Sequence, residues 1–366
     1  MKQKEQRKDD ILFVGVDLGT SRSSISASNG TKKWNESYVG WPKDFIAAKV
    51  VGKSILFGSE ALQNRLSLDL YRPLERGVIK EGIERNEEAV KELIGYLIQL
   101  AGPKEDQKIY AIVGVPADAM KVNQIAIKKA VSGFVDSVMV VSAPFAAAYG
   151  LNLLGNSLII DIGAGTVDFC MMHGTIPDND DQKAILTAGD YIDEQLFSYL
   201  IEKYPNSRFN RNMVRQFKET HSFVGDSSET IKVEIPVEGK PLNHDITNEM
   251  RRACESILPA IIETTSEMIA KFDPEFQIKI KNTLSPKRTC RKQPVTGVAL
   301  PFFPLLLLPL RRRFPEALLF GDGLLLVERG FFPAGFQRML KEDPGGYYLQ
   351  RQIYPKPPQF LVKSWF

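Results

Sequence analysis

Twice along the chain an unbroken apolar run ends on an aspartate and then turns through small residues. The first copy is Ile11 to Val16, followed by Asp17, Leu18, Gly19, Thr20 and Ser21. The second is Leu158, Ile159 and Ile160, followed by Asp161, Ile162, Gly163, Ala164, Gly165 and Thr166. Apolar runs without polar alternation predict strands covered on both faces, and the small residues predict tight turns after them. Two strand–turn units of one design predict two similar half-domains facing one cleft.

The remaining pattern alternates strand with helix. Ile25, Ala27 and the Asn29-Gly30 pair predict an antiparallel hairpin, and residues 34–71 predict a small inserted subdomain with a helix from Ser59 to Asp69. Arg72 to Gly82 is a Pro- and Gly-marked connector. Val90, Leu93, Ile94, Leu97 and Ile98 give helical spacing to Glu87–Leu100. A strand from Ile109 to Val115 ends at Pro116, Lys121–Val131 predicts a helix, and Ser137–Val141 predicts a short strand. Ala143-Pro144 with the alanines after it suits a helix start. Further helices are expected from Gly189-Asp190 and over Val214–His221, a strand over Thr230–Val237, and one long helix over Asn248–Phe272. The expected class is α/β with largely buried sheets. Its divisions are a polar leader 1–10, a domain 11–155 and a second domain 156–284 carrying an insert about 200–247.

Residues 285–366 break the pattern. They hold 11 of the 22 prolines, in runs such as PFFPLLLLPL and YPKPPQF, and no helix or strand period persists in them. The expectation is a disordered or non-native tail, with the look of a frame-shifted translation. Charge divides at the same place: residues up to 284 carry a net −5 and those after it a net +8, which together make the chain's +3. A mildly acidic main body argues against a nucleic-acid surface. The three cysteines, Cys170, Cys254 and Cys290, are too scattered for a disulfide framework or a zinc site and favour a reducing compartment. The leader KQKEQRKDD has the character of neither a secretion signal nor a membrane anchor. His173, His221 and His244 show no ligand spacing.

Phosphate chains need backbone N–H groups converging on them with little side-chain bulk in the way. Gly19-Thr20-Ser21 and Gly163-Ala164-Gly165-Thr166 each offer that, directly after a strand. Asp17 and Asp161 suit Mg²⁺, which keeps most of its water and is held through it. Either turn alone is often only a hairpin; the pair in the same strand context carries the reading. No G-x-x-x-x-G-K-[ST] loop occurs, so the chain is not a P-loop NTPase.

The motifs DLGTS (17–21), RPLERGVI (72–79), VGVPA (113–117), APFAAAYGL (143–151), DIGAGTVD (161–168) and GDYIDEQL (189–196) fall in the order found in the actin/Hsp70/sugar-kinase superfamily. Over about residues 11–284 they most resemble the prokaryotic actins. Tyr38 to Asp44 and SFVG at 222–225 resemble the magnetosome-associated branch more than the MreB type. The resemblance implies an actin-like ATPase fold of two duplicated, ribonuclease-H-like halves around a nucleotide cleft, with small inserted subdomains. It further implies ATP/ADP and Mg²⁺ as cofactors, self-assembly into filaments, and magnetosome-surface proteins as partners. A cytoplasmic, cytoskeletal location follows, with neither nucleic acid nor direct membrane insertion.

By the same resemblance Asp17, Gly19, Thr20 and Ser21 form one phosphate loop, and Asp161, Gly163, Gly165 and Thr166 the other. Lys218 and Glu219 fall where actins meet adenine and ribose, although a solvated helix face explains them equally. Ala143 occupies the position where bacterial actins carry the glutamate that orients the attacking water. Weak ATP hydrolysis is therefore expected, sustained by Asp161 and the metal with help from Asp168. The tail also departs: soon after Asn282 the family has a G-G-G-S-like turn against the adenosine, and this chain has TLSPKRTCRKQPV. An MreB-type cell-shape scaffold and a small-molecule kinase of the same superfamily stay open as alternatives. The kinase needs a substrate base near the γ-phosphate, and no residue suggests itself.

Overall fold

The computed structural model describes residues 11–79, 84–151, 153–155, 157–224, 230–275, 277 and 324–327. The leader, Cys290 and the expected tail lie outside these residues, apart from one strand at Leu324–Val327. The described chain divides into two compact units, one within residues 1–184 and the other within 185–328.

The first unit is built on a five-stranded sheet. Strands β1 (Ile11–Asp17), β2 (Arg22–Ala27), β3 (Lys32–Glu36), β7 (Lys108–Val115) and β8 (Ser137–Ser142) lie in the order β3-β2-β1-β7-β8. β1 runs parallel to β7 with Asp17 opposite Gly114, and β7 runs parallel to β8. β2 and β3 are antiparallel, joined at Asn29-Gly30, where the Asn29 side chain accepts from the Thr31 N–H at 3.0 Å. Val14, Val16, Leu18, Ile25 and Val113 are buried in one core with Leu93, Ile94 and Leu97 of helix α3 (Glu84–Leu100). The apolar stripe read from the sequence is thus the face that α3 buries.

Between β3 and α3 lies a small sheet in the order β5-β4-β6, from β4 (Val39–Pro42), β5 (Leu56–Phe57) and β6 (Leu68–Tyr71). Its core is Tyr38, Leu56, Ala61 and Leu68. Helix α1 (Phe45–Val51) is capped by Asp44, whose side chain accepts from Ala47 N–H at 2.8 Å. The helix expected over Ser59–Asp69 is shorter: α2 (Gly58–Gln63) stops, and Leu68 onward is strand. Sheet pairing of Leu68–Tyr71 with β4 overrides the local helical pattern.

Two other helices are interrupted. The helix expected over Lys121–Val131 is a pair, α4 (Ala117–Val122) and α5 (Gln124–Ser132), broken at Asn123. Asn123 is fully buried, and its Oδ1 accepts from Ile79 N–H at 2.9 Å while its Nδ2 donates to the Ile79 carbonyl at 3.2 Å. The side chain thus closes both backbone groups of a residue 44 positions away, and its own backbone leaves the helical path. After β8, helix α6 (Ala143–Leu151) leads to strands β9 (Ser157–Ile162) and β10 (Val167–Met172), an antiparallel hairpin.

The second unit holds α7 (Gly189–Lys203), α8 (Arg211–His221), the hairpin of β12 (Lys232–Val237) and β13 (Lys240–Asp245), and α9 (Thr247–Glu255) and α10 (Leu258–Ala270). The strand β11 (Gln182–Ile185) spans the division. One long helix was expected where α9 and α10 stand. Pro259 sits at the start of α10, where its missing N–H costs nothing; inside a continuous helix it would have removed a hydrogen bond.

Candidate functional site

The site begins with the turn after β1. Leu18 N–H donates to the Gly114 carbonyl at 2.9 Å, continuing the sheet one residue beyond Asp17. The Gly19 carbonyl accepts from Ser37 Oγ at 2.6 Å, and Gly19 N–H donates to Ser23 Oγ at 3.2 Å. Arg72 Nε donates to the Thr20 carbonyl at 3.3 Å. Every one of these partners is outside the turn, so its path is fixed by β7, β2, Ser37 and the connector.

The second turn joins β9 to β10. Gly163 N–H donates to the Thr166 carbonyl at 2.8 Å, closing the hairpin. Asp161 lies directly across the ladder from Asp168. The Thr166 hydroxyl donates to Asp168 Oδ2 at 2.6 Å, and Asp168 Oδ1 accepts from the Ala117 N–H at 2.8 Å.

These two turns, 144 positions apart at their aspartates, touch. A Cβ on Gly165 would collide with the Thr20 hydroxyl and come within 2.9 Å of the Gly77 backbone nitrogen. A Cβ on Gly77 would come within 2.5 Å of the Thr166 methyl. Gly77 forms, with Arg76, the tip of a two-residue hairpin closed by the Glu75–Val78 bridge, and both residues have positive φ, 52° and 79°. That is the backbone of a primed turn, which a side chain at Gly77 would oppose twice over.

Asp17, Asp161 and Asp168 are each at most 5% exposed, and Thr20 and Thr166 are buried as well. Thr20 Oγ1 has no hydrogen-bond partner among the described residues although it is buried. An unspent buried hydroxyl facing a glycine cradle is the donor a phosphate oxygen takes up. Among the described residues no group of three or more His, Cys, Asp or Glu stands ready to hold a metal directly. Asp17 and Asp161 are oxygen donors at the start of the two turns, a set that suits Mg²⁺ bound through water.

Of the residues singled out from the sequence, Asp17, Gly19, Thr20, Ser21, Asp161, Gly163, Gly165, Thr166 and Asp168 all belong to the first unit. Lys218 and Glu219 belong to the second. Lys218 donates to the Gly189 carbonyl at 2.8 Å and pairs with Asp193 at 2.8 Å, while Glu219 is exposed. Ala143 is buried at the first position of α6. Arg72, Gly77 and Asn123 were not singled out as site residues; the first two lie in RPLERGVI, read as a connector and as one of the family-like motifs but not as part of the site. Cys170 and Cys254 are buried free thiols. Burial pushes both upward from the ordinary thiol value, Cys254 to about 12.

Comparison with known proteins matches residues 12–283 to the family described as MreB/Mbl protein. The chain belongs to the MreB/Mbl family. Among its curated relatives is the actin-like protein MamK of Paramagnetospirillum magneticum, 38% identical over 280 residues, 76% of this chain and 81% of that protein. The solved MamK double helical filament aligns with this MreB/Mbl-family chain at a TM-score of 0.78 and 33% identity, covering 91% of this chain and 99% of that one. A non-polymerising MamK mutant bound to AMPPNP aligns at 0.60 and 34% identity, covering 91% and 98%. The fold is actin-like, and among the MreB/Mbl proteins the chain sides with MamK.

Proposed function

We propose that this chain is an ATP-binding, actin-like cytoskeletal protein of the cytoplasm that polymerises into filaments organising or positioning magnetosomes, and that it hydrolyses ATP slowly. The nucleotide part is carried by one observation, the packing of Gly165 on Thr20 beside an uncommitted buried hydroxyl. The filament part is supported by the likeness to the MamK filament over most of both chains. Partners at the magnetosome surface follow from the MamK resemblance alone.

In this reading Gly19 and Gly163, whose own N–H groups close the two turns, leave room for the phosphates, which Thr20, Ser21, Gly165 and Thr166 hold by backbone N–H groups together with the Thr20 hydroxyl. Asp17 and Asp161 hold Mg²⁺ through water, and the ion supplies neutralisation of the phosphate charge. Asp161 orients the attacking water. The Ala143 methyl can neither accept a proton nor hold that water, so the chemical step runs slowly while binding persists. Lys218 and Glu219 are assigned to the adenosine by resemblance only.

Electron microscopy and sedimentation of the full chain, with and without ATP and magnesium, test the reading. Filaments that depend on ATP are the expected result. Neither filaments nor ATP binding by calorimetry at any magnesium level would overturn it.

A further inference from the structure

Asp168 was expected to assist the chemistry, and its surroundings suit a different task. Its carboxylate is 3% exposed, and both oxygens accept a hydrogen bond: Oδ1 from the Ala117 N–H at 2.8 Å, Oδ2 from the Thr166 hydroxyl at 2.6 Å. A carboxylate can only accept, so the Thr166 hydroxyl hydrogen is committed to it. Thr166 then has lone pairs alone to offer on its other side, and it cannot donate to a phosphate oxygen.

The contacts around this pair belong to three segments. Ala117 follows Pro116 at the end of β7, Thr166 is the last residue of the second turn, and the Thr166 methyl lies under Gly77 of the connector hairpin. Across the ladder Asp168 opposes Asp161, and side chains opposed in an antiparallel pair share a face of the sheet. Two like charges there repel unless one is compensated. The two donors on Asp168 provide that compensation within the protein.

We propose that Asp168 is a positioning residue that clamps the second turn, through Thr166, to the backbone at Ala117, and that it takes no proton from the attacking water. The role rests on the reading of the two turns as phosphate holders. It is separable from it, because the clamp exists without nucleotide.

The test compares Asp168→Asn with Asp168→Ala in the full chain. Asparagine keeps an acceptor for Ala117 and can donate to Thr166 Oγ1; alanine keeps neither. Hydrogen exchange of the nucleotide-free protein, read by mass spectrometry, is expected to accelerate about tenfold in peptides covering Ala117 and residues 163–168 for Asp168→Ala, and far less for Asp168→Asn. Unchanged exchange in both overturns the clamp. In ATP turnover and affinity, Asp168→Asn is expected to lose roughly threefold and Asp168→Ala more than tenfold, since small misplacements of a site carry such losses. A base cannot be replaced by an amide, so equal loss of turnover in both variants, with Asp168→Asn exchanging as wild type, overturns the positioning role. A wild-type chain that binds no ATP removes the nucleotide reading, and the exchange arm still decides the clamp.

Discussion

Gly165 and Ala143 are small residues with opposite consequences. At Gly165 a methyl group would press on the Thr20 side chain and on the backbone nitrogen of Gly77, 2.9 Å away, and backbone cannot swing aside as a flexible side chain can. Gly165→Ala is therefore expected to part the two turns, costing about 1–3 kcal/mol of stability as overpacking does. The larger effect falls on binding: calorimetric ATP affinity should drop at least tenfold, and retention of wild-type affinity would show that the contact between the turns is not needed for the phosphates. At Ala143 the missing group is chemical. Its place at the first position of α6 favours an acidic side chain electrostatically, while its burial means that a larger charged group costs some stability; Ala143→Glu should therefore lower the denaturant midpoint and raise ATP turnover by about 10² or more. Equal phosphate release from the two proteins rules out a water-orienting role for the position.

Helices and strands followed the apolar pattern where it ran unbroken along a whole element, on one face in α3 and on both faces in β1 and β7. The pattern failed where one residue overruled its neighbours. Asn123 has a helical sequence on either side, and its interruption depends on Ile79, a partner in another segment that no local window contains. Leu68–Tyr71 continues a helical spacing but pairs with β4. The same holds at the site: the two aspartate turns were legible because each is a contiguous strand–turn unit, whereas Gly77, Arg72 and the Asp168–Ala117 bond are properties of contact between segments. Asn123→Ala provides the measure. It leaves the buried N–H and carbonyl of Ile79 without partners, at about 1–3 kcal/mol for each group, and the denaturant midpoint should fall accordingly with little change in slope. A loss below about 0.5 kcal/mol, the usual scatter of surface substitutions, would mean that the interruption between α4 and α5 is not held by this side chain.

Across the whole chain the two units carry one described thiol each, Cys170 on β10 and Cys254 on α9, both fully buried. Burial holds each in the neutral form, Cys254 up to about 12, so neither thiolate forms in the native state at pH 8. The linkage has a definite sign: with the folded value raised, this contribution to stability is intact below the unfolded thiol value of about 8.5 and declines as pH rises from there toward 12. At pH 8 labelling by a thiolate-specific reagent therefore reports local opening of each unit separately, with peptide masses distinguishing the sites. β10 begins at the second turn, so a ligand held there must be released before the hairpin opens. With ATP and magnesium at 100 times the dissociation constant, and protein too dilute to assemble, Cys170 labelling should slow about 100-fold, the suppression that mass action gives for a ligand bound only to the closed form. If Cys170 reacts equally fast with and without nucleotide, the hairpin of β9 and β10 does not hold it.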